Sequence, residues 1–338
     1  MNIFIVTDAW EPLVNGVVRT FVTMIAHLRQ MGHAVSVISP DQFTTVPCPT
    51  YPEIRLAIVL PRHIAERIDR IRPDAIHIVT EGPLGLAART ACLKKGIPFT
   101  TSYTTRFPEY VHERIRLPLT VGYSFMRWFH APASRVMVST CSFKQELESR
   151  GIRNLVLWGR GVDTTLFAPL AEKPELGAPR PYLLYVGRVA VEKNLRAFLS
   201  LDVPGTKFIV GDGPQRARLA REFPEARFVG MRHGADLAYY YAAADVFVLP
   251  SRTETFGLVM LEALASGVPV AAYPCQATKE VIGDSGCGVL DEDLGKAVLS
   301  ALNIPAERCR CYAQRFGWEK IAEIFVANLA LIDKRRYT

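Results

Sequence analysis

The feature that most limits what this chain can fold into is an alternation. In both halves, short apolar runs rich in Val, Ile and Leu take turns with longer stretches of helical periodicity. Unbroken apolar runs mark strands covered on both faces, and a helix between successive runs is the connection that parallel strands require. In the first half the runs predict strands at 3–7, 34–39, 75–79, 98–102, 135–139 and 155–158. In the second they predict strands at 182–186, 207–210, 227–229, 246–249, 268–272 and 288–290. The expected fold class is α/β with two doubly wound, Rossmann-like domains, and 338 residues suffice to give each its own core.

The stretch "GRGVDTTLFAPLAEKPELGAPRP", 159–181, is dense in Pro and Gly and has no apolar period. It places a first domain at 1–165, a linker at 166–181 and a second domain at 182–315. Phe316, Ile321, Ile324, Phe325 and Leu329 then follow at helical spacing, which predicts a terminal helix, 316–338, with an apolar face that must dock.

Other classes are excluded by composition. The opening "MNIFIVTDAWEP" lacks a basic stretch and a small-residue cleavage site, and no 18-residue apolar span follows, so neither a signal peptide nor a membrane-spanning helix is expected. Seven scattered cysteines without paired ligand spacing point to a reduced, cytoplasmic chain with neither a disulfide framework nor a metal site. The net charge of +7 is uneven, with 19 Lys and Arg against 13 Asp and Glu in residues 1–170. A cationic half suits an anionic membrane surface, a phosphorylated substrate or nucleic acid, or is simply basic. Nucleic acid is not the expected partner.

Open parallel sheets bind ligands beyond the carboxyl ends of their strands. After the first strand, Gly16 precedes a helix whose N-terminal amides can face an anion. "YLLYVGRVAVEKNL" sets Arg188 and Lys193 around a strand-to-helix turn, where two cations neutralise a diphosphate better than one. "FIVGDGPQR" adds a second glycine turn with Asp212 and Gly213. The predicted helix 256–266 is apolar almost all round, with Glu262 as its only charge. A carboxylate there needs a partner: a buried Arg or Lys, or the hydroxyls of a vicinal diol such as a ribose. Glu254 precedes that helix, beside the amides of Phe256, Gly257 and Leu258, which suit a phosphate or a sugar oxygen.

These residues resemble the retaining GT-B glycosyltransferases of family 4, group 1, over nearly the whole chain. The likeness rests on Gly16, "RPDAIHIVTEGPLG" (72–85), "GRGVDTTLFAP" (159–169), "GRVAVEKN" (187–194), "GDGP" (211–214), Glu254 and Glu262 with seven residues between them, and a closing helix with Trp318. The resemblance implies two domains facing a cleft, with the terminal helix crossing back to the first. It assigns Glu254, Arg188 and Lys193 to catalysis, with the two cations on the donor diphosphate and Glu254 on the donor sugar. It also assigns Gly16, Gly213, Met231, Phe256, Gly257, Leu258 and Glu262 to donor binding, Glu262 on the ribose and Met231 beside the nucleobase. No cofactor and no metal is implied, because the departing phosphate helps deprotonate the acceptor.

One departure stands out in "SYTTRFPEYV", where Thr104 occupies the place of the family's sugar-contacting histidine. Tyr103, Thr104 and Arg106 are assigned to the sugar and acceptor side. The basic and aromatic stretches "RHIAERIDRIR" (62–72) and "ERIRLPLTVGYSFMRWFH" (113–130) are similar to those with which membrane-associated members reach lipid acceptors, although Phe125, Trp128 and Phe129 also fit an ordinary core. The form is most similar to bacterial diacylglycerol glycosyltransferases. The expected activity is transfer of a hexose from a UDP- or GDP-hexose to a lipid, peripheral to the cytoplasmic face of the inner membrane. The alternatives are a soluble or polysaccharide acceptor, a nucleotide-sugar epimerase, and a non-catalytic nucleotide-sugar binder.

Overall fold

The computed structural model describes residues 1–10, 16–48, 51–252 and 257–337, in two units. The first consists of Met1–Arg160 and Ile321–Thr338, the second of Gly161–Lys320.

The first unit runs β1 (Asn2–Val6), α1 (Gly16–Gln30), β2 (Ala34–Ile38), β3 (Thr45–Cys48), β4 (Tyr51–Ala57), α2 (Pro61–Ile71), β5 (Ala75–Ile78), α3 (Pro83–Lys95), β6 (Thr100–Ser102), α4 (Phe107–Ile115), α5 (Leu119–His130), β7 (Arg135–Val138), α6 (Cys141–Ser149) and β8 (Leu155–Leu157). Its main sheet has the order β2-β1-β5-β6-β7-β8, and every neighbouring pair is parallel. All four residues of β5 are buried, which is why this strand reads as a nearly continuous apolar run in the sequence. One polar side chain lies within it. His77 is fully buried, with Nδ1 2.9 Å from Thr100 Oγ1 and Nε2 2.8 Å from Ser102 Oγ. Burial depresses its pKa to about 3, so the ring is neutral.

All six strands predicted for this half form within two residues of their expected ends. The antiparallel pair β3–β4 was not foreseen. It carries Pro47 and Pro52, and proline is tolerated in short two-stranded ribbons and at edges but argues against a strand in a sequence.

In the second unit the chain runs β9 (Tyr182–Val186), α7 (Leu195–Leu199), β10 (Thr206–Val210), α8 (Arg216–Glu222), β11 (Arg227–Gly230), α9 (Gly234–Ala243), β12 (Val246–Leu249), α10 (Leu258–Ala265), β13 (Val270–Ala272), α11 (Gln276–Val281), β14 (Gly288–Leu290), α12 (Leu294–Ala301) and α13 (Ala306–Gln314). The sheet order is β11-β10-β9-β12-β13-β14, again parallel throughout. The six predicted strands are the six observed.

The change of unit falls at Gly161, and no helix or strand is present from there to Pro181. The segment is nevertheless packed, since Val162 and Phe167 are buried in the second unit's core. Arg310 on α13 holds it by donating to Phe167 O at 2.9 Å, Thr164 O at 2.8 Å and Ala265 O at 2.7 Å.

The terminal helix is shorter than the expected 316–338. α14 spans Trp318–Asn328, and the chain returns to the first unit at Ile321. Beyond the helix, Leu331 bridges antiparallel to Ala75, Ile332 N donates to Asp74 O, and Tyr337 Oη donates to Pro73 O. Backbone pairing at the amino end of β5 thus replaces the next helical turn.

Candidate functional site

In a doubly wound sheet a crevice opens where successive strands diverge to opposite sides. The strand orders put that point between β9 and β12 in the second unit and between β1 and β5 in the first.

The loops after β9 and β12 therefore flank the second unit's crevice. After β9 the chain passes through Gly187, Arg188 and a short 3-10 turn, Val191–Lys193, and Asn194 follows in the left-handed region with φ 52°. Asn194 Nδ2 donates to Pro250 O at 3.1 Å and so ties this loop to the end of β12. Arg188 is exposed, with Nη1 3.9 Å from Glu192 Oε1, a loose pairing that water weakens. Tyr185 Oη donates to Arg188 O at 2.9 Å and fixes the backbone there.

The glycine turn after β10 is built on close approach. A Cβ on Gly211 would lie 1.9 Å from Gly187 O, and one on Gly213 2.4 Å from Val189 O. The glycines of "GDGP" are needed so that this loop can lie against the loop carrying Arg188. Asp212 closes the turn, accepting from Gly213 N at 2.7 Å and pairing with Arg216 at 3.1 Å. Met231, just past β11, is 53% exposed, as a residue offered to a planar ligand would be.

On the other side, α10 begins after Gly257, whose φ of 75° makes it a left-handed entry residue, with Leu258 as the first helical position. Met260, Leu261, Ala263, Leu264 and Ala265 are buried, as the all-apolar composition predicts, while Glu262 is half-buried. The carboxylate has a partner: Tyr241 Oη on α9 donates to Glu262 Oε2 at 2.9 Å and lies 3.3 Å from Val259 O. Burial, reinforced by Glu262, raises the Tyr241 pKa far above its ordinary value, so the phenol remains a donor. The expected catalytic Glu254 and the donor-binding Phe256 lie outside the described residues. Lys193 is half-buried at the end of the 3-10 turn.

In the first unit, Gly16 opens α1 and its carbonyl accepts from Thr20 Oγ1 at 2.7 Å. Asp8, directly after β1, was missed by the sequence reading. It is 9% exposed and accepts from Leu84 N at 2.8 Å, Gly85 N at 3.2 Å and Thr80 Oγ1 at 2.9 Å. It thereby caps α3, and burial raises its pKa to about 6 against those hydrogen bonds. An acid at the end of a strand was the available signal.

Tyr103 and Thr104 follow β6. Tyr103 is fully buried and stacks on His130 at 5.3 Å between ring centres. His130 in turn lies 2.8 Å from Thr101 Oγ1 and 3.3 Å from Glu81 Oε1. Arg106 is engaged differently. Its guanidinium makes a forked pair with Glu146, at 2.9 and 2.6 Å, and sits over the Phe143 ring. That fork engages the guanidinium that the resemblance assigns to the sugar and acceptor side. On α5, Phe129 is buried, Phe125 is half-buried and Trp128 is 51% exposed beneath Arg89, whose Cζ is 3.9 Å from its ring. No helix among the described residues is long and apolar enough to cross a membrane.

Comparison with known proteins agrees over both units. Residues 14–166 match the family described as Glycosyltransferase Family 4, and residues 180–303 the one described as Glycosyl transferases group 1. The chain is 33% identical over 316 residues to a GDP-mannose-dependent alpha-mannosyltransferase of Mycobacterium tuberculosis, covering 86% of this chain and 83% of that protein. It is 28% identical over 345 residues to the alpha-monoglucosyldiacylglycerol synthase of Streptococcus pneumoniae, covering 89% and 78% respectively. Among solved structures, Anabaena HepE in complex with UDP aligns with a TM-score of 0.71 over 97% of this chain and 99% of that one. At 18% identity that likeness concerns the fold.

Proposed function

The chain belongs to glycosyltransferase family 4, with the Rossmann-like α/β units of a GT-B enzyme, and from that premise we propose that it moves a hexose from UDP- or GDP-hexose to a membrane lipid such as diacylglycerol, with retention of configuration. The observation that carries the donor half is the second unit's crevice. Arg188 and Lys193 on the loop after β9 and Glu262 on α10 lie on elements flanking the topological switch point. Two cations suit a diphosphate, and a carboxylate with one oxygen bonded to Tyr241 suits a ribose diol.

In this role Glu262 aligns the nucleoside, and Arg188 and Lys193 stabilise charge on the leaving diphosphate, where stabilisation grows as the glycosidic bond breaks. Glu254 contacts the sugar. No metal, cofactor or enzyme base is required, because the leaving phosphate takes the acceptor proton on the face it departs from. The relatives' names support a hexose donor and a diacylglycerol-type acceptor. The basic first half and the exposed Trp128 support work at an anionic membrane on its cytoplasmic face.

The test is transfer from labelled UDP-glucose and GDP-mannose to diacylglycerol in phosphatidylglycerol vesicles, with the anomeric configuration read by NMR. Arg188→Ala, Lys193→Ala and Glu254→Ala are each expected to abolish transfer. Normal turnover in all three refutes the site. A product formed only on soluble glycans refutes the lipid acceptor.

A further inference from the structure

The sheet of the second unit opens at a definite point. The pairing of β9 with β12 ends at Leu184–Phe247, whereas β9 continues against β10 to Val186–Val210 and β12 continues against β13 to Leu249–Ala272. Beyond Leu184 and Phe247 the two halves of the sheet therefore part, and the loops after β9 and β12 stand on opposite sides of the opening. Asn194 bridges them, since its Nδ2 donates to Pro250 O at 3.1 Å, 56 residues further along the chain.

Local structure does not account for an asparagine here. The residue has φ 52° and ψ 36°, in the left-handed region, where glycine fits without strain and asparagine is only tolerated. It also precedes α7, a place where an asparagine side chain ordinarily caps the helix, and no such cap forms. Glycine would suit the backbone better and the helix end gains nothing, so what the side chain contributes is the bond to Pro250. That bond joins two halves of the candidate site. Lys193 immediately precedes Asn194, and Pro250 lies on the segment that leads to α10 and Glu262.

We infer that Asn194 is a positioning residue: its amide sets the span between the cations that take the donor diphosphate and the carboxylate that takes the ribose. The inference rests on the donor site proposed above, and it gives Asn194 no contact with the donor itself. A nucleoside diphosphate reaches from one loop to the other, so its affinity depends on their separation. A crevice already held at the ligand's length binds it without first ordering two loose loops.

The test titrates the full-length protein with UDP and GDP as wild type, Asn194→Gly and Asn194→Asp. Glycine keeps the left-handed backbone and removes the amide, and aspartate keeps the shape but turns the donor into an acceptor facing a carbonyl. For the nucleotide that wild type binds, affinity is expected to fall about tenfold in both variants. The melting temperature of Asn194→Gly should stay within about 3 °C of wild type, because relief of the left-handed strain offsets the lost bond. With Glu262→Ala already present, Asn194→Gly should weaken binding by less than about twofold, since no span is left to set. Full affinity in both variants overturns the inference. A tenfold loss that persists without Glu262 overturns it as well, because it marks a general loosening of the loop. Failure of wild type to bind either nucleotide removes the donor site itself, and this inference with it.

Discussion

Replacing Tyr241 with Phe tests the phenol that joins Glu262, and more weakly Val259 O, beside the crevice proposed for the donor. The substitution keeps the ring, which is fully buried and packs edge-on to Phe167 at 5.5 Å and tilted to Phe247 at 5.9 Å. It removes only the O–H that Glu262 Oε2 receives at 2.9 Å. A hydrogen bond to a charged group is worth about 1.5–3 kcal/mol net. Glu262 is half-buried, so water recovers part of that, and the loss should be about 1–2 kcal/mol. For a unit of this size the melting temperature then falls by about 2–8 °C.

Activity is the sharper readout. If Glu262 holds the ribose equally in ground and transition states, loosening it raises KM for the nucleotide sugar by about 5- to 30-fold and leaves kcat within about twofold. The comparison that decides the matter is a double-mutant cycle. With Glu262→Ala already present, Tyr241→Phe should change KM no further. An equal KM penalty in both backgrounds would show that Tyr241 acts by packing α9 against α10 and would refute its role in aiming the carboxylate.

Three further outcomes are expected. His77, with its pKa depressed from 6.5 to about 3, contributes stability that is complete above pH 6.5 and is lost as pH falls towards 3, about 5 kcal/mol in all. Asp8, raised from 3.8 to about 6, has the opposite sign: its contribution, about 3 kcal/mol, is present below pH 3.8 and lost as pH rises through 6. The stability gap between wild type and His77→Gln, measured by denaturant titration, should therefore change progressively in favour of wild type from pH 4 to 6.5, and a flat gap would contradict the neutral buried ring. Gly211→Ala drives a methyl to 1.9 Å from Gly187 O and should cost about 3 kcal/mol or prevent folding, as read by thermal melting. Trp128→Ala should reduce co-sedimentation with anionic vesicles severalfold while the melting temperature stays within about 3 °C, because the ring is half in solvent and its pairing with Arg89 is worth only about 0.5–1 kcal/mol.

What the sequence reveals and what it conceals divide along physical lines. Strands buried on both faces are apolar at nearly every position, and β5 admits His77 where Thr100 and Ser102 bond its ring, so β1, β5, β9 and β12 can be read directly, and with them the loops that hold Arg188 and Lys193. Glycines required for backbone contact are legible for a similar reason: no other residue fits at Gly211, and the motif records that fact. Side-chain partnerships across elements leave no comparable trace. Glu262 on an apolar helix announces that it needs a partner, yet the donor is one of three consecutive tyrosines. Tyr239 is 45% exposed, Tyr240 is half-buried, and only Tyr241 is buried facing α10. Successive helical residues point about 100° apart, so choosing among the three requires the rotation of α9 about its axis, which tertiary packing sets. The same ambiguity separates Trp128 from Phe129 on α5. Composition fixes that these aromatics are present; the phase of the helix decides which fills the core and which is left for a membrane or a ligand.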